Sequence, residues 1–101
     1  MMNLPPMSRR AERRCRQRGV RSSVIRTVID CHDADIAVGD DCRALRLSRS
    51  MLRNLASDGV DRQQIDQLKG LVVIWSDRTT QVVTVFRDAD QIRARRYRTQ
   101  H

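Results

Sequence analysis

Aromatic side chains are scarce in this 101-residue chain: Trp75, Phe86 and Tyr97 are the whole set. Single-strand binding by base stacking needs several exposed rings, so that mode is disfavoured. Long apolar runs are also missing. The longest, Leu71 to Trp75, has five residues, whereas a helix crossing a bilayer needs about 20, so no membrane span is expected. The first residues, Met1 to Met7, lack the apolar stretch of a secretory signal. Cys15, Cys31 and Cys42 are an odd set without C-x-x-C spacing, which argues against a disulfide framework or a zinc site and for reduced thiols. The expected compartment is the cytoplasm. No phosphate-binding glycine loop and no G-x-S-x-G elbow is present, and no metal or cofactor is expected.

Positive charge is abundant. The chain has 20 Lys+Arg against 12 Asp+Glu, a net charge of +8, and Lys69 is its sole lysine. A GC-rich coding bias explains the Arg-to-Lys ratio as readily as the phosphate-binding fork of guanidinium does. The placement of the charge is more informative. Residues 1–29 hold eight Arg and one acid, Glu12, while residues 30–71 hold six bases and eight Asp, and residues 72–101 six bases and three Asp. Both ends are positive and the middle is not, which points to a polyanionic partner.

Hydrophobic periodicity gives an α-α-β-β-(α-α)-β-β order. Pro5-Pro6 end a flexible lead-in over residues 1–7. Ser8 is the candidate cap of a helix from Arg9 to Arg18, stopped by Gly19 and carrying a thin apolar stripe of Met7, Ala11 and Cys15. Ser22 or Ser23 is expected to cap a second helix, reaching Asp30 or Cys31, with Val24, Ile25, Val28 and Ile29 buried. A strand with Ile36 and Val38 on one side, a Gly39-Asp40-Asp41 turn and a strand from Cys42 to Leu47 follow. Two short helices are expected after Ser48 and after Asp61. Leu71–Ser76 and Gln81–Arg87 read as a hairpin at the centre of a sheet covered on both faces, with Trp75 and Phe86 in the core. Residues 88–101, with Ile92 and Tyr97, read either as a docked helix or as a basic arm. The whole is one α+β domain over residues 8–87, with two N-terminal helices packed on an antiparallel, roughly four-stranded sheet.

Cys31-His32-Asp33-Ala34-Asp35 has the composition of a ligand cluster, but neighbouring residues at a helix end diverge, and the aspartates are ordinary turn and cap residues. The acid–base inventory is short: His32, His101, Glu12, Tyr97 and the aspartates. Arginine serves as a phosphate cation and poorly as a base, because it loses its proton only above about pH 12.

The stretch Ser8-Arg9-Arg10-Ala11-Glu12-Arg13-Arg14, with Gln17-Arg18-Gly19-Val20 after it, resembles a bacterial domain family of unassigned function. Members open with H-A-x-x-R and Q-R-G-I and end in a hairpin reading roughly VV-x-S-D-x-x-x-V-I-T-V. Val72 to Asp77 and Val82 to Arg87 carry that ending here. The resemblance covers about residues 8–87, and the family is more remotely similar to the RelE and ParE toxin superfamily of small basic α+β proteins, often ribonucleases. It implies a metal-independent endoribonuclease acting on RNA or at the ribosome, with an acidic antitoxin or regulator as partner.

The family's helix-one histidine falls at Arg10, which removes a base from that position. Arg14, Arg18, Thr84 and Arg87 keep the pattern and are expected to line one surface where the first helix meets the sheet. The candidate catalytic residues are Arg14, Arg87, Thr84, Tyr97 and His101. The candidate nucleic-acid-binding residues are Arg9, Arg10, Arg13, Arg14, Arg16, Arg18, Arg46, Arg95 and Arg96. The alternatives are a non-catalytic nucleic-acid-binding module and a protein-binding regulator or inhibitor from a mobile element. All nucleic-acid readings expect arginines from both ends of the chain to converge on one cradle.

Overall fold

Six arginines in a ten-residue helix repel one another, so the first helix forms because its surroundings hold it. The computed structural model describes residues 6–87. In it α1 spans Arg9–Arg18, with Ser8 as N-cap, its hydroxyl accepting from the Ala11 N–H at 3.1 Å. The same hydroxyl donates to the Val83 carbonyl at 3.2 Å. Gly19 closes the helix at φ +65°, a left-handed conformation that costs glycine nothing. The next N–H, that of buried Val20, reaches back to the Cys15 carbonyl at 2.8 Å.

Helix α2 spans Ser22–Cys31 and buries Val24, Ile25 and Val28. Its N-cap is Arg21 and no side chain caps it; both serines lie inside the first turn instead. The αL stop at Gly19 leaves just Val20 and Arg21 between the two helices, so α2 starts earlier than a serine cap allows.

Strands β1 (Ala34–Gly39), β2 (Cys42–Arg46), β3 (Leu71–Ser76) and β4 (Gln81–Arg87) form one antiparallel sheet in the order β1-β2-β3-β4. Asp40 and Asp41 both have positive φ, the two-residue turn whose twist matches a hairpin. Helices α3 (Arg49–Ser57) and α4 (Arg62–Leu68) fill the β2–β3 connection, capped by Ser48 and Asp61.

Leu45, Val73 and Val85 lie side by side across three strands and face the helices. Around them pack Ala11 and Cys15 of α1, Val24, Ile25 and Val28 of α2, Leu52 of α3 and Leu68 of α4. Trp75 joins this core, half-buried. Ala44, Ile74 and Thr84 form the adjacent row and, by strand alternation, face away from the helices. Phe86, paired with Val72, is on that second face and is half-buried, so it is not part of the helix-side core.

The β3–β4 hairpin is not wholly central, because β4 is the last strand of the sheet. Its outer edge is covered by the lead-in to α1. The Ser8 N–H donates to the Val82 carbonyl at 2.9 Å and the Val82 N–H to the Pro6 carbonyl at 2.8 Å. The edge N–H and C=O of Val82 are thus satisfied by chain laid along β4 rather than by a fifth strand.

Loss of the Ser8 hydroxyl removes both a cap and a tie to β4. Ser8→Ala is expected to cost about 1–2 kcal/mol in urea unfolding, and Ile25→Ala, emptying a fully buried site, about 2–5 kcal/mol.

Candidate nucleic-acid interface

A ten-residue helix buried only at Ala11 and Cys15 presents most of its circumference outward. At 100° per residue, Arg9, Arg13 and Arg16 lie opposite that buried stripe, in a row about 10 Å long. All three are exposed; Arg10, also exposed, and half-buried Arg14 occupy one flank. Among the described residues none of these five arginines takes part in an ion pair. Glu12 sits four residues before Arg16, yet the two do not come within ion-pair distance. On the other flank a groove of about 460 Å³ runs between Met7, Cys15, Val20 and the side chains of Glu12, Arg16 and Arg21.

Elsewhere several acids are already used. Arg43 donates to Asp77 at 2.7 Å and to Asp35 at 2.9 Å, and Arg26 pairs with Asp30 one turn on. Asp33 accepts from both the hydroxyl and the N–H of Ser48, fixing the start of α3 against the start of β1. These hydrogen bonds, the hydroxyl's first, hold the Asp33 carboxyl below the ordinary carboxylate range.

The expected catalytic set is not brought together. Arg87 donates one Nη to the Gln67 carbonyl at 2.8 Å and the Lys69 carbonyl at 3.2 Å, so it closes the C-terminal end of α4. Thr84 lies on the sheet face turned away from the helices, while Arg14 is on α1. Arg46 is across from Ala34 on β2, half-buried, and it and Arg18 already interact with other groups. Tyr97, His101, Arg95 and Arg96 lie outside the described residues, as does the expected tail. The surface that the resemblance implies for Arg14, Arg18, Thr84 and Arg87 therefore divides into a basic helix, a helix-end clamp and a residue on the opposite sheet face.

Two other groups offer little chemistry. One ring nitrogen of His32, Nδ1, lies 2.8 Å from the Ile29 carbonyl at the end of α2. Cys15 is on the buried face of α1, and desolvation, helped by Glu12, pushes its thiol pKa up, away from the thiolate form. No cluster of metal-ligating side chains exists among the described residues, and none of their helices is long and apolar enough to cross a membrane.

No protein-family model matches the chain, and neither a curated protein nor a solved structure shows significant similarity to it.

Two measurements check these assignments. Arg87→Met is expected to destabilise the fold by about 1–2 kcal/mol in urea unfolding, through loss of a charged donor from two carbonyls. The depressed Asp33 carboxyl contributes stability that is complete above the ordinary Asp pKa and fades as pH falls through its lower folded value. Thermal unfolding followed from pH 5 to pH 2 should therefore show a smaller acid loss in Asp33→Asn than in the parent.

Proposed function

We propose that the chain is an RNA-binding protein of the cytoplasm that holds phosphates on the exposed face of α1, through Arg9, Arg13 and Arg16, with Arg10 and Arg14 on the flank. The observation that carries this reading is an imbalance. Arg26 is held by Asp30 and Arg43 by Asp35 and Asp77, whereas α1 concentrates on ten residues five arginines that form no ion pair among the described residues. Clustered like charges weaken a helix, and phosphate neutralises them while releasing counterions. The choice of RNA follows the resemblance to the RelE and ParE superfamily. An encounter with the ribosome, or with an acidic antitoxin or regulator, would use the same face.

Binding without cleavage is the form of this reading favoured by the geometry. Metal-independent cleavage at a ribose 2′-hydroxyl needs a base, an acid and cations around the phosphate. The α1 arginines supply cations; Arg87 is committed to α4, and Thr84 is on the other face of the sheet.

The test is titration of labelled single-stranded RNA at several salt concentrations in EDTA, with the RNA recovered and sized afterwards. Four phosphate contacts predict a log–log salt slope near −3, a loss of roughly fiftyfold between 50 and 200 mM salt. Arg9→Ala, Arg13→Ala and Arg16→Ala combined should lower the slope by about 2 and leave thermal stability intact or raised. RNA recovered uncut supports a binding module; discrete fragments lost with Arg14→Ala would restore the ribonuclease reading. Indifference to RNA at low salt removes the proposal.

A further inference from the structure

The outer edge of β1 is the opposite of α1 in charge and in polarity. Ile36 and Val38 are 56% and 53% exposed, the large apolar side chains most open to water among the described residues. No backbone hydrogen bond from another described segment reaches this edge, whereas the β4 edge is tied to Pro6 and Ser8. Edge strands are ordinarily guarded by proline, lysine, an unpaired charge or a bulge; the bulge of β1 falls at Val38, near its end, and leaves Ala34–Ala37 in regular pairing with β2. The one ionisable residue in Ala34–Gly39 is Asp35, and Arg43 of the adjoining strand already neutralises it.

We infer that β1 is a self-association edge, pairing antiparallel with β1 of a second copy to continue the sheet across a two-fold axis. A register centred on Ile36 sets Ile36 against the partner's Ile36 and Asp35 against the partner's Ala37, and brings Ala34 opposite the partner's Val38, the residue at which the bulge ends the regular ladder. No like charges then face each other along the ladder, and the apolar side chains come together. The symmetry suits a single strand that is its own complement.

Charge is the main objection, since two copies of a +8 chain repel. The strand order answers it. Helix α1 packs on β4, the far edge of the sheet, so the two basic helices end up on opposite margins of an eight-stranded sheet. Seven strand spacings amount to about 34 Å, several Debye lengths at physiological salt, where the length is about 8 Å. The segment that meets its copy, residues 33–42, carries four aspartates and no base. The contact is small: one six-residue strand and two half-exposed branched side chains fall short of the ~800 Å² per partner of a standard interface. Association is therefore weak and concentration-dependent, and it rises with salt, which screens the remaining repulsion.

Sedimentation velocity of the full chain, without nucleic acid, from about 10 µM to about 1 mM covers the expected range. The parent should pass from monomer toward dimer, more readily at higher salt. Ile36→Lys, which sets two ammonium groups against each other on the axis, should stay monomeric throughout, while Ser50→Lys on exposed α3 should dimerise as the parent does. Circular dichroism of Ile36→Lys should match the parent, because the side chain is largely solvent-exposed. Hydrogen exchange of the β1 amides should slow with concentration in the parent and not in Ile36→Lys. A parent that is monomeric at every concentration, a dimer indifferent to Ile36→Lys, or β1 amides equally protected in the monomer would each overturn the inference, the last because the chain would then be covering its own edge.

Discussion

Everything about the basic face depends on how a self-repelling helix is held in place. The Ser8 hydroxyl accepts from the first turn of α1 and donates to the Val83 carbonyl, and two backbone hydrogen bonds join Pro6 and Ser8 to Val82. These bonds hold the helix at the edge of the sheet against the repulsion of its own charges. Ala11 and Cys15 then need to bury only a narrow strip over Val82 and Val85. The rest of the circumference is left to arginine. A helix held by a wide apolar face would have had less surface to give.

The remaining charges follow a different economy. In the middle of the chain aspartates outnumber bases, and three of them are taken up in the fold: Asp35 clasps Arg43 together with Asp77 of the β3–β4 turn, Asp30 holds Arg26, and Asp33 fixes Ser48. None of these acids reaches the arginine row of α1 among the described residues. Among the described residues one margin of the sheet thus carries the arginine row of α1, and the other a strand whose one acid is paired with Arg43. The first is suited to a polyanion and the second to another strand, and the sheet between them keeps the two surfaces apart.

The element order was legible in the sequence because its signals are local. Serine before Arg9 and before Arg49, glycine after Arg18, the Asp40-Asp41 turn and the alternation of Leu45 with Leu47 each act within a few residues. The same locality made the arginine row readable, since 100° per residue fixes which side chains share a face whatever the helix packs on. The α2 cap was misplaced by a residue because two serines offered the signal and the αL turn at Gly19 decided the start. The apolar pattern of β4 suggested a central strand. An apolar pattern reports what covers a strand's faces and carries no information on what pairs with its edge.

What the sequence by itself determined is therefore the set of elements, the fold class and the one-sided charge of α1, all governed by short-range geometry. What only the tertiary structure decided is which of the distant residues meet. Arg87 carries the same charge as Arg14 and was expected beside it, yet the carbonyls left open at the end of α4 claim its guanidinium. Thr84 faces away from the helices because a residue skipped near Val83 sets the register of β4 against β3. Partner choice among long side chains depends on three-dimensional competition for acceptors and on strand register, and neither is written in the spacing of residues along the chain.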